Sequence, residues 1–236
     1  MKMKLGVAMV VLLLSIAFIP VVDADAEDRG WYGSQLDANG SAVYDAMKSA
    51  FDVSTGDSVS IDVTFDRFTT ITLFQDEESA KKAAKDSALN ALAAAYYDMP
   101  LAIWLWNYPV TPVEVTVTSA PVTMDGNTYH VASSASFSLN VSDTYAGKVE
   151  VTLNAVKDAA AKLTYQGNDT EKARSITNHL RGVTVIDSPE GRECDVYDAL
   201  VLKKSSSAGI AAAFTYIAKC NSVEAVTVHG LVYKTD

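Results

Sequence analysis

The stretch SSSAGIAAAFTYIAKC, residues 205–220, is where this chain could present a nucleophile. Ile210, Phe214 and Ile217 are spaced to line one face of a helix, and three serines lead into it. A helix N-terminus offers unpaired backbone N–H groups and the positive end of the helix dipole, which together favour an anion. Ser207 stands at that mouth. A serine hydroxyl does not ionise there unaided, because it needs a general base within hydrogen-bond reach and an oxyanion hole.

The other reactive residue types are placed less favourably. Cys194 lies thirteen positions before Ser207 in a polar loop, with no helix start to lower its pKa. Cys220 lies at the far end of the helix, where the dipole disfavours a thiolate. In an exported protein such a pair suggests one disulfide, Cys194 to Cys220, or else two idle thiols. His130, His179 and His229 are scattered without ligand spacing, and two cysteines cannot fill a four-ligand zinc site alone. No metal and no cofactor are expected. His229 is the histidine nearest to Ser207 in sequence, and it reads as a polar residue at a strand end before Gly230. No pair of carboxylates is forced together by spacing, as a glycosidase would need. Trp104 and Trp106 with Tyr96, Tyr97 and Tyr108 form an aromatic cluster that suits the core or a seam between two halves, with a peptide or sugar groove as the alternative.

The elements that must position these residues can be read from periodicity. Leu36, Val43, Tyr44, Met47 and Phe51 predict a helix over 36–52. DSVSIDVTFDRF alternates as a half-buried strand does, with TTITLF as its expected partner. DEESAKKAAKDSALNALAAAYYDMP predicts a long helix, acidic in its first turn, alanine-rich inside and closed by Pro100. Residues 113–142 predict two long strands joined at Asp125-Gly126. Ser142-Asp143 then caps a helix carrying Tyr145, Val149, Leu153, Val156, Ala160 and Leu163. A further helix runs to about Leu180, a polar loop spans 181–195, and VEAVTVHG predicts a strand after the helix of residues 207–220. The fold class is α+β.

Lys2 and Lys4, the apolar run from Leu5 to Val22 and the small residues Ala24-Asp25-Ala26 have the layout of a secretory signal peptide over residues 1–26. An uncleaved membrane anchor is the alternative, and only then would the chain sit on a membrane. Cleavage removes two lysines and two aspartates, so the net charge stays at −10. Such a charge repels phosphate backbones and argues against a nucleic-acid partner. An apolar fraction of 49% supports a packed core rather than disorder. Asn39, Asn140 and Asn168 each open an N-glycosylation tripeptide, a pattern that also arises often by chance.

Taken together, ARSITNHLRGVTVID, YDALVLKKSSSAGIAAAFTYIAKC and VEAVTVHG resemble the core of secreted microbial transglutaminase-like proteins of the papain-like cysteine superfamily. AAAYYDMPLAIWL resembles the Tyr-Asp-x-Pro and Trp stretch that often precedes that core. The resemblance spans roughly residues 77–110 and 142–230. It implies an N-terminal α+β region over 27–141 and a partial transglutaminase-like core over 142–236. It also implies that Gly209 matches the glycine of the helix start and that Ser207 takes the place of the nucleophilic cysteine. The family carries its histidine and aspartate on two strands after the one matched by VEAVTVHG, and only six residues follow Gly230 here. The expectation is therefore a secreted or cell-surface protein without catalysis that binds protein or peptide through the old cleft. The alternatives are an acyl-transfer enzyme that uses Ser207 with another base or with another chain, and a truncated copy of such an enzyme. An exposed edge strand near residues 224–229 would favour homo-oligomers.

Overall fold

The computed structural model describes residues 29–66, 72–108, 111–185 and 195–228. The expected signal peptide, Cys194 and His229 lie outside the described residues.

The first half is a three-stranded antiparallel sheet covered by two helices. Helix α1 (Ala38–Val53) starts where Asp37 accepts the Gly40 N–H at 2.6 Å, two residues later than periodicity predicts. Strand β1 (Ser58–Thr64) buries Val59, Ile61 and Val63 and exposes the residues between. Helix α2 (Glu77–Asp98) is capped by Asp76, which accepts from Ser79 N at 2.8 Å, and carries Glu77 and Glu78 in its first turn. Its fully buried alanines, Ala80, Ala84, Ala88, Ala91 and Ala95, let it lie close against the sheet and α1. Strands β2 (Thr116–Met124) and β3 (Asn127–Asn140) form the expected hairpin. Asp125 and Gly126 adopt φ of 49° and 76°, the left-handed pair that a type I′ turn requires.

The sheet order is β1-β3-β2. The described partner of β1 is thus β3, and residues 69–71 of TTITLF, its expected partner, lie outside the described residues. In this register Val59, Ile61 and Val63 stand opposite Leu139, Phe137 and Ala135, giving one continuous apolar face. Of TTITLF, Phe74 makes only an isolated bridge to His130, with 2.9 Å bonds in both directions.

The second half is mainly helical. Helix α3 (Val149–Ala161) begins four residues beyond Tyr145, with Lys148 at its N-cap and no side-chain cap. The expected Ser142-Asp143 cap is corrected: residues 143–147 form a turn that sends Tyr145 into the core instead. Helix α4 (Asp169–Leu180) opens with a full capping box between Asn168 and Glu171. Short β4 (Thr184–Val185) pairs in parallel with β5 (Lys204–Ser205), which follows a π-helical turn over Asp198–Leu202. Helix α5 (Ser207–Cys220) comes last and packs on α4 and α3.

No strand forms over residues 223–228, contrary to expectation. No described strand lies alongside to complete a ladder. Val223, Ala225 and Thr227 still turn inward, while Glu224, Val226 and Val228 face out. The fold is α+β, and its apolar core runs from Val43 through Trp106 and Tyr145 to Ile217 and Val223.

Candidate functional site

The three serines before α5 have three different environments. Ser205 is fully buried, and its hydroxyl donates to the Asp195 carbonyl at 3.4 Å. Ser206 is the N-cap, accepting the Gly209 N–H at 3.3 Å. Ser207 is the first helical residue and is exposed. Among the described residues its hydroxyl makes no hydrogen bond to an imidazole or a carboxylate. Gly209 is buried, and because its N–H is committed to Ser206, the helix mouth has one donor fewer for an oxyanion.

The loop before α5 is organised by Asp195. This residue is buried, accepts the Tyr145 hydroxyl at 2.6 Å, and receives Tyr197 N at 2.8 Å and Asp198 N at 3.1 Å. It therefore caps the π-helical turn and ties it to the Tyr145 turn. At the other end of α5, Asn221 donates to the Leu163 and Ile217 carbonyls at 2.8 and 2.9 Å and accepts Tyr165 N at 2.7 Å. The helix is pinned at both ends by structural polar groups.

Neither described histidine serves Ser207. His130 sits in β3, its Nδ1 shielded from solvent and unpartnered. His179 ends α4, and its Nε2 lies 3.4 Å from Lys203 Nζ. Burial, and then the Lys203 charge, hold the His179 imidazole below its ordinary pKa. This contact was missed in the sequence because the parallel β4–β5 pair is only two residues long. That pair brings the end of α4 to the loop four residues before Ser207. The VTV run after Gly182 was the available signal, hidden inside an apparently polar loop. Cys220 is exposed at the last position of α5, and the suggested disulfide to Cys194 falls outside the described residues. Among the described residues no group of three or more His, Cys, Asp or Glu side chains could hold a metal ion. No helix among them is long and apolar enough to cross a membrane.

Of the aromatic cluster, Trp104 and Trp106 are core, while Tyr96, Tyr97 and Tyr108 are half-buried. Trp104 is 3% exposed, stacks on Phe51 at 5.2 Å and donates its indole N–H to Gly56. Trp106 packs edge-on against Tyr145 at 5.2 Å, joining the two halves.

Two cavities flank this aromatic seam. The first, of about 430 Å³, lies among Lys48, Phe51, Asp98, Leu153, Tyr216 and Lys219. Asp98 there accepts Gly33 N at 2.8 Å and the Tyr44 hydroxyl at 3.2 Å. Burial raises the Asp98 carboxyl despite these donors, and burial with the Asp98 charge raises Tyr44. Tyr216 is pushed up to about 12 by burial and then by neighbouring Cys220. Both phenols stay protonated at physiological pH, so neither is an activated nucleophile. The second cavity, of about 520 Å³, opens beside the end of β3. It is lined by Trp104, Asn107, Tyr108 and Glu114 on one wall and by residues 138–144 on the other.

The sequence matches no protein-family model and no curated protein.

Proposed function

We propose that this chain is a secreted, non-catalytic transglutaminase-like protein that binds protein or peptide at or outside the cell surface. The observation that carries this reading is the state of Ser207. It occupies the first position of α5, where the resemblance places the nucleophile, yet its hydroxyl is exposed and unconnected to any described base. Alkoxide chemistry without a base and with a partly capped helix mouth gives no useful rate. The basic start and apolar run of residues 1–26 support export.

The test is acyl transfer from a glutaminyl peptide to hydroxylamine, together with hydrolysis of a nitrophenyl ester. The expected result is no turnover above background, unchanged by Ser207→Ala. Turnover that Ser207→Ala abolishes would replace this reading with an active acyl-transfer enzyme. The outward apolar side chains of Val226 and Val228, 37% and 80% exposed, support self-association through their segment by apolar contact. Size-exclusion chromatography showing only monomer at micromolar concentration would count against it.

A further inference from the structure

We propose that the 520 Å³ cavity binds an extended, basic peptide, which adds to the sheet beside Ser138 and Asn140. This assignment rests on the peptide-binding reading above. Strand β2 begins at Thr116, opposite Ser136, whereas β1 continues to Ser58, opposite Asn140. The end of β3, residues 137–140, is therefore paired on one side only. Val141 N donates to Asp57 O on the β1 side. Strand alternation turns the backbone groups of Phe137 and Leu139 the same way and those of Ser138 and Asn140 toward the cavity. Among the described residues no backbone hydrogen bond joins Ser138 or Asn140 to residues 111–115. An incoming extended chain finds two residues' worth of N–H and C=O groups there, which is how sheet-edge recognition gains affinity.

The side chains specify what that chain carries. Asn107 Oδ1 and Ser142 Oγ belong to two lining residues but are themselves closed to solvent, so selectivity falls to the charges at the rim. Glu114 and Asp143 are exposed at the rim, and no lysine or arginine lines the cavity among the described residues. Cationic side chains on the ligand complement them. A sugar fits less well, because Trp104, the tryptophan of the lining, is only 3% exposed and offers little ring face.

The experiment titrates the full chain with an acetylated, amidated hexapeptide of alternating valine and arginine, followed by 15N amide resonances. The expected result is saturable binding in which the Ser138 and Asn140 amides shift more than those of Leu139 and Val141, which belong to the β1 ladder. Glu114→Gln with Asp143→Asn should weaken binding and flatten its salt dependence. The same hexapeptide with glutamate in place of arginine should not bind. No saturable binding, or equal binding of the glutamate peptide, overturns the proposal, as does maltohexaose shifting the same amides in place of the peptide. Peptide binding that leaves Ser138 and Asn140 unmoved overturns the cavity assignment and leaves the peptide-binding reading standing. Turnover abolished by Ser207→Ala overturns that reading, while the amide shifts still judge the cavity.

Discussion

Alanine substitution at Ser205, Ser206 and Ser207 separates packing, capping and chemistry at one helix start. Ser206 supplies the only side-chain cap at the mouth of α5, so Ser206→Ala leaves the Gly209 N–H without that acceptor. Losing an N-cap of this kind costs about 1 kcal/mol. For a chain of this size that lowers Tm by about 2–4 °C. Ser205→Ala removes a fully buried hydroxyl whose bond to the Asp195 carbonyl is long, at 3.4 Å, and a cost near or below about 1 kcal/mol is expected. Ser207→Ala removes an exposed hydroxyl and replaces it with a better helix former, so stability should stay within about 0.5 kcal/mol or rise slightly. The assay is urea and thermal unfolding followed by far-UV circular dichroism, with the urea slope checked to be unchanged across the three variants. If Ser207→Ala costs about 1 kcal/mol while Ser206→Ala costs nothing, the cap lies one residue later. The Ser207 hydroxyl would then be engaged, and the reasoning about an idle position fails.

Three further outcomes follow from the polar ties and close contacts. Asn221→Ala deletes three side-chain hydrogen bonds, two to residues 163–165 and one to Ile217 within α5, and should cost about 2–3 kcal/mol in urea unfolding. Asn221→Asp should be no better, because a carboxylate would face the Leu163 and Ile217 carbonyls. Gly33→Ala would put a methyl 2.7 Å from the buried Tyr44 ring, which is held by Gly30 N and Asp98, and should cost about 1–3 kcal/mol. For His179 the folded pKa lies below the unfolded value. Its contribution to stability is therefore present above the unfolded pKa, about 6.5, and is lost as pH falls from there through the lower folded pKa. Urea midpoints at pH 5.0 and 7.5 should differ less in His179→Gln than in the parent chain, and an unchanged difference would contradict the assignment.

Period and punctuation made the first half legible. The alternation of Val59, Ile61 and Val63 placed β1, and Asp125-Gly126 placed the hairpin turn at the two residues that need positive φ. The alanine-rich run placed α2 with its acidic first turn. Pairing was less legible, because TTITLF and SASFSLN offer β1 equally apolar partners and only tertiary register selects Phe137 and Leu139. The Tyr145 turn was read as helix because its spacing fits a helical face, whereas its side chain answers to Asp195, fifty residues away. The same limit applies to the cavity at the end of β3. Ser138 and Asn140 do not stand out in sequence, and their significance comes from β2 starting opposite Ser136 while β1 runs on to face Asn140.

Helix α5 is held in place by residues other than the one at its mouth. Ala213, Ile217 and Ala218 are fully buried, Asn221 and Ser206 hold the two ends, and Ser205 anchors the entry. Each of these contributions is independent of what sits at position 207. A substitution of cysteine by serine at that exposed position would change reactivity by removing a standing thiolate and change stability by very little. The reverse substitution, Ser207→Cys, should accordingly fold as well as the parent and still fail to turn over a glutaminyl substrate, because no described imidazole reaches it. Turnover by that variant, measured as hydroxamate formation, would show that a base outside the described residues completes the site.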